Sequence, residues 1–341
     1  MEVLTRTGYR VTTRPFEYSA FTGRWATPLA GAWMAGALAV AGHLGDHGQP
    51  GFALGALAVA LVLLAVAGRY LANTGVLFFP LMRRRGVNVE AVRDDREPAV
   101  WLVAHIDSKW QPVPMALRAA GVMLLAMASI AAIALSAVQW RSGFGQPLWL
   151  PLVIVGGFSA LPVMLSIVGD RGPGAVDNAS GAATVLTAAE MLNADDNVGV
   201  LITDAEELGL AGAMAWALSR RAGAGVALNC DGIDDDGTLT VMFSGARPER
   251  IVLALRIAAA IEVLRLRVMR MIPGVLTDSV ALARAGWETA TLSRGSLRTL
   301  RRIHTIGDDT AAMRGTGIPI AARVLANAVV ELRHRAVNVS V

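Results

Sequence analysis

The chain has 341 residues, of which 54% are apolar and 17% charged, and its mean hydropathy is +0.49. That balance departs from a soluble domain toward one with membrane segments. The net charge of +4 comes without the basic and aromatic stripe of a nucleic-acid binder, so nucleic acid is not an expected partner, and the single cysteine, Cys230, excludes an intrachain disulfide.

In chain order, four apolar stretches (27–45, 51–68, 119–140 and 148–168) lack Lys, Arg, Asp and Glu. Each matches the ~20 residues a helix needs to cross a bilayer. Trp25, Trp110, Trp140 and Trp149 lie near their ends, where interfacial anchors belong. The links 46–50 and 141–147 are short enough that the stretches pair as two helical hairpins. Arg6, Arg10, Arg14 and Arg24 precede the first stretch, which argues against a cleaved leader. With Arg69, Arg83, Arg84, Arg85, Arg118 and Arg171 they place the hairpin tips outside and the rest in the cytoplasm. The expected protein is integral to an inner or plasma membrane, with the lipid bilayer as a partner; its oligomeric state is not readable. The expected organisation is a tail and first hairpin over 1–80, a first polar segment over 85–112, an inserted hairpin over 113–171 and a second polar segment over 172–341.

In the polar segments, strand-like and helix-like patterns alternate. Short apolar runs at 99–107, 198–203, 225–230, 238–244 and 288–293 read as strands. Helical spacing occupies 180–192, 208–221, 247–268 and 319–335. Strands apolar on both faces, alternating with helices, predict an α/β fold with a mostly parallel central sheet flanked by helices, beside the four transmembrane helices in two hairpins. Ligands gather at the carboxyl ends of such strands.

Polar residues cluster at those ends. Taken singly, each cluster has an ordinary reading. His105 and Asp107 can simply end a strand, Asn178 or Ser180 can cap a helix, Glu206 and Glu207 can complement a helix dipole, and Asp231 can belong to a turn. The run Asp234, Asp235, Asp236 reads as a solvated acidic loop. Taken together, His105 and His304 with several carboxylates on one rim have the composition of a zinc site. More carboxylates than one ion needs point to two ions sharing a ligand.

The ordered set His-x-Asp-Ser (105–108), Asp-Asn-x-Ser-Gly (177–181), Glu-Glu-x-Gly-x-x-Gly (206–212), Asn-x-Asp (229–231) and His-Thr (304–305) resembles the di-zinc aminopeptidase family, which includes bacterial leucyl aminopeptidase and the glutamate carboxypeptidase relatives. The resemblance covers 85–108 and 172–341 and leaves the apolar stretches outside. It implies two zinc ions per chain, one held by His105 and Asp231, the other by Glu207 and His304, with Asp177 bridging. It also implies Glu206 as general base, Asp107 orienting the His105 imidazole, a cis peptide bond between Asp177 and Asn178, and a peptide as substrate. The implied activity is zinc-dependent hydrolysis of peptide bonds, as by an aminopeptidase.

Several features depart from the family. The second hairpin separates His105 from Asp177, and about eight residues join its end to Asp177, a tether of at most roughly 30 Å, which places the catalytic rim near the bilayer. Tyr9, Tyr18 and Tyr70 all precede the catalytic part, so an oxyanion there needs metal or backbone N–H groups. "HTIGDDT" leaves open whether Asp308 or Asp309 has the family's role, and "LTDSVALARAGW" makes Asp278 a candidate for the substrate pocket. Other activities on this scaffold are a non-peptidase amide hydrolase or a cyclase. A non-catalytic membrane receptor or scaffold is a further reading, at odds with a complete ligand set. A transporter lacks support, because the spans lack the buried ionisable residues expected of a pathway.

Overall fold

A computed structural model describes residues 1–220, 225–272 and 274–338. The chain begins with α1 (Glu2–Arg6), β1 (Arg10–Ser19), α2 (Phe21–Asp46), α3 (Pro50–Tyr70), α4 (Val76–Phe78), β2 (Arg83–Val92) and β3 (Val100–His105). Then come α5 (Met115–Ser142), α6 (Trp149–Met164), α7 (Gly181–Met191), β4 (Val198–Thr203), α8 (Ala211–Leu218), β5 (Val226–Ile233) and β6 (Thr238–Phe243). The rest is α9 (Glu249–Ile261), β7 (Leu266–Arg270), α10 (Asp278–Arg284), β8 (Glu288–Gly295), α11 (Leu297–Arg302) and α12 (Gly317–Asn338). The expected helix 208–221 is the shorter α8, and Arg221 lies outside the described residues.

Two compact units result. One comprises residues 1–18, 83–109 and 170–341, the other 19–82 and 110–169. The first is built on an eight-stranded sheet of order β1-β2-β4-β3-β5-β8-β6-β7. Its centre is parallel, because β3 pairs with β4 and β5, and β5 with β8, in one direction, whereas β2 and β6 run antiparallel to β4 and β8.

The alternation of side chains along the strands divides the core in two. Val100, Leu102 and Ala104 of β3, with Val198, Val200 and Ile202 of β4, face α7, α9 and α12 through residues such as Val185, Leu255 and Val329. Trp101 and Val103 of β3 and Leu201 of β4 face the other way, against Trp216 of α8 and Leu282 of α10. A sheet covered on both faces explains the unbroken apolar runs of its central strands.

Several segments depart from expectation, among them β2, which no expected strand covers. The helix expected over 247–268 stops at Ile261, and the chain re-enters the sheet as β7 after Val263, whose φ of 56° is left-handed. Leu264, Leu266 and Val268 alternate with Arg265 and Arg267, a period of two that continues no helical stripe. Residues 1–18, expected as an N-terminal tail before the first hairpin, supply α1 and β1 to the sheet unit, with Leu4 and Tyr9 buried in its core.

In the acidic run 234–236, expected as a solvated loop, Asp236 is exposed but Asp234 and Asp235 are buried. Asp234 accepts hydrogen bonds from Thr299 Oγ1 at 2.6 Å and Arg302 Nη2 at 3.0 Å. Asp235 accepts from the backbone N–H groups of Arg314 (2.6 Å), Thr316 (2.6 Å) and Gly317 (3.4 Å), closing the start of α12, and from Thr316 Oγ1. Burial pushes the Asp235 carboxyl up, but those hydrogen bonds outweigh it and hold it below the usual aspartate range. A carboxyl whose folded-state pKa is depressed contributes stability in full above its unfolded value of ~3.9, and loses it as pH falls through the folded value. The melting temperature of detergent-solubilised wild type should therefore exceed that of Asp235→Asn at pH 7, the gap closing as pH drops below ~4. A gap unchanged down to pH ~3 would contradict this role for the carboxylate.

The second unit packs α2, α3, α5 and α6. Three helical stretches among the described residues, Pro50–Phe78, Met115–Ser142 and Gln146–Met164, are long and apolar enough to cross a membrane. The first continues past α3 through a π-helical turn, Leu71–Gly75, into α4. The remaining expected span, 27–45, lies on α2, which is not among the three; its glycines and His43 dilute its apolar character. Those glycines serve packing: a Cβ at Gly42 would lie 2.3 Å from Val153 Cγ2, and one at Gly45 2.1 Å from the Trp149 ring. Trp149, expected as an interfacial anchor, is 1% exposed, and its indole Nε1 donates to Gln139 Oε1 at 2.7 Å.

Candidate metal centre

The carboxyl ends of β3, β4, β5 and β8 define one rim of the sheet, and the sequence motifs converge there. His105 is the last residue of β3, in register with Thr203 at the end of β4. Asp231 lies near the end of β5, Asp177 lies just before α7, and His304 follows α11.

Asp177 stands between the two imidazoles. Its Oδ1 lies 3.2 Å from His105 Nε2, and its Oδ2 lies 2.7 Å from His304 Nε2. His105 Nε2 is 3.8 Å from Asp231 Oδ1 and 3.9 Å from Glu206 Oε2, and His304 Nε2 is 3.5 Å from Glu207 Oε1. Two groups with the spacing of metal ligands result: His105, Glu206 and Asp231, and Asp177, Glu207 and His304, each with one donor atom per residue inside a 4.8 Å span. His105 Nε2 and Glu207 Oε1 are buried and make no hydrogen bond. Two aligned but unpartnered donors, in a set of imidazole nitrogen and carboxylate oxygen, fit Zn²⁺.

Local structure aims the glutamates. Ala205 adopts a left-handed φ of 56°, which breaks the alternation of β4 before Glu206 and Glu207. The Asp107 carboxylate then takes both of their backbone N–H groups, at 3.0 and 3.1 Å. Asp107 was expected to orient the imidazole; its nearest contact to His105 Nδ1 is its backbone oxygen, at 3.0 Å, with Oδ1 at 3.5 Å. Asn178 Oδ1 accepts from the N–H groups of Gly181 and Gly232, tying the start of α7 to the end of β5. The peptide bond between Asp177 and Asn178 is cis, as the resemblance implies.

Asp308 and Asp309 differ in their contacts. Asp308 is 1% exposed, and its carboxylate accepts from the N–H groups of Val176 and Asp177 at 3.0 and 3.1 Å, whereas Asp309 accepts from Ala312 N–H in the following turn. Asp278, a candidate for the substrate pocket, is instead fully enclosed at the start of α10, where its Oδ2 accepts from Thr203 Oγ1. That contact supports the end of β4. Lys109 was overlooked. Its ammonium donates to Glu207 Oε2, yet in the sequence it is one lysine after a short motif, with nothing to show which carboxylate it reaches.

The crowding of charge shows in the titration behaviour. Burial pushes the Glu206 carboxyl well up, with Glu207, Asp231 and Asp278 adding to the effect and the His105 imidazole opposing it. Burial also raises Glu207, opposed first by Lys109. Burial would raise Asp177, but the two imidazoles that face its oxygens hold it well below the usual range. Burial would lower His105, but Glu206, Asp107, Asp177 and Asp231 outweigh it and raise it well. Asp278 is pushed up to about 7, chiefly by burial. A cation bound here would compete with the His105 proton and draw the raised carboxyls down.

No match was found among curated proteins. Among solved structures, the chain is similar to an aminopeptidase from Aneurinibacillus sp. strain AM-1, at 15% identity over 74% of this chain and 50% of that one, with a TM-score of 0.47. It is similar to BSAP, a zinc aminopeptidase from Bacillus subtilis, at 18% identity over 74% and 51%, with a TM-score of 0.46. It is also similar to a Bacteroides thetaiotaomicron glutaminyl cyclase bound to N-acetylhistamine, at 11% identity over 96% and 86%, with a TM-score of 0.49. The chain spans about half the length of the first of these structures. The model of peptidase family M28 matches residues 155–329, just over half of the 341 residues and a range containing four of the five motifs. The chain belongs to peptidase family M28.

Proposed function

We propose that the protein is a membrane-embedded zinc aminopeptidase. His105 and Asp231 hold one zinc ion, Glu207 and His304 hold a second, Asp177 bridges them, and Glu206 is the general base. The observation that carries this reading is Asp177, which presents one oxygen to each of two imidazoles, 3.2 and 2.7 Å away. When bound, the metal supplies a Lewis acid and a water of lowered pKa.

Glu206 moves the proton. Its carboxylate takes one from the attacking water and returns it to the leaving amine, work suited to a carboxyl whose pKa burial has raised. By distance alone Glu206 could serve as a ligand beside His105 and Asp231. Asp177 Oδ1, 3.2 Å from His105 Nε2, would stand as the third ligand of that group, which would leave Glu206 free to carry a proton. Asp107 keeps both glutamates in place through their backbone, and Asp308 does the same for Asp177.

Membrane embedding rests on the three apolar helices, and a catalytic unit on the cytoplasmic face on the arginines that flank them. The substrate is a peptide with a free amino terminus, met near the bilayer. The test uses the full chain in detergent with peptides bearing free or acetylated amino termini, and one peptide with amino-terminal glutamine. The expected result is release of the first residue, abolished by acetylation and by chelation and restored by zinc. Cleavage indifferent to acetylation would remove the aminopeptidase assignment. Ammonia release from the glutaminyl peptide without chain cleavage would replace it with a cyclase.

A further inference from the structure

We infer that Lys109 makes the two metal positions unequal, so that the position formed by Asp177, Glu207 and His304 fills second and binds zinc more weakly; this rests on the metal centre proposed above. Lys109 lies on the segment leaving β3, two residues after Asp107. Its side chain is 15% exposed and that of Glu207 only 3%, so little water screens their contact. The ammonium donates to Glu207 Oε2, leaving Oε1 as the oxygen that faces His304 Nε2, at 3.5 Å. Glu207 is thus restricted to one donor oxygen and shares its charge with a fixed cation.

At the other position no such cation is found among the described residues. Among the described residues, the only basic group within 4 Å of the Asp231 carboxylate is the His105 imidazole, its neighbour in that position. A fixed positive charge beside one of two dication positions repels the incoming ion, and the low effective dielectric of a buried site enlarges the effect. The asymmetry therefore follows from one side chain.

The test measures zinc affinity of the full-length protein in detergent, by competition with a chromophoric chelator and by metal content after dialysis. Wild type is compared with Lys109→Met, which removes the charge at similar length, and with Lys109→Arg, which keeps it. The expected result is two unequal steps in wild type, with the weaker strengthened at least ~10-fold in Lys109→Met, unchanged in Lys109→Arg, and the tighter step altered by less than ~3-fold. His304→Ala in the Lys109→Met background should abolish the strengthened step. A weaker step unaltered or weakened by Lys109→Met would overturn the inference, as would a strengthened step that survives His304→Ala. Zinc bound equally at both positions in wild type would overturn it while leaving the metal centre intact, whereas folded wild type that binds no zinc would remove both.

Discussion

Glu206→Gln is expected to lower kcat by ~10²–10⁴-fold while leaving zinc content and KM close to wild type. Glutamine keeps the shape of the side chain and cannot accept the proton. The backbone at this position is held from outside, by the Asp107 carboxylate on the N–H groups of Glu206 and Glu207, so the substitution leaves the neighbouring Glu207 in place. A loss confined to kcat is the mark of an interaction made only in the transition state. Steady-state kinetics with an aminoacyl amide, beside zinc quantification of the same preparation, separates the outcomes. Retained zinc with full activity would move the base elsewhere; lost zinc would make Glu206 a ligand of the His105 group.

The sequence made the central sheet legible because its strands are apolar on both faces. The run 198–203 is β4 residue for residue, and the run 99–107 contains β3 with His105 as its last residue. The metal-site motifs were legible for a related reason: each lies where a strand or helix begins or ends, so chain order alone brought them to one rim. β7 was hidden because its alternation of leucine or valine with arginine follows directly on the helical stripe of α9. β1 was hidden by its arginines, which read as flanking charge for a membrane span.

Side-chain partnerships resisted reading altogether. Lys109 reaches Glu207 and Asp308 reaches Asp177 across separations of 98 and 131 residues. Asp234 and Asp235 look solvated in sequence because the guanidinium, hydroxyls and N–H groups that bury them come from 65 or more residues downstream. In α2, glycines that lower hydropathy are the residues that admit Val153 and Trp149, so packing and apolar character pulled in opposite directions.

Asp177→Asn carries the second large expected effect. In the proposed centre Asp177 is the one residue that both metal positions share, and the amide nitrogen of asparagine cannot replace a ligating oxygen. Zinc affinity should fall at both positions by at least ~10-fold, and activity by more than ~10³-fold, whereas His304→Ala should weaken one position and spare the other. Equal retention of both ions in Asp177→Asn would mean that the carboxylate does not bridge.

The most direct measurement is an anomalous difference map at the zinc edge, from crystals of the full chain grown with zinc. A peak ~2.0–2.2 Å from an Asp177 carboxylate oxygen and from Nε2 of His105 or His304 is the predicted result. Zinc peaks confined to the surface, with none within ~5 Å of Asp177, far beyond any ligand distance, would contradict the account.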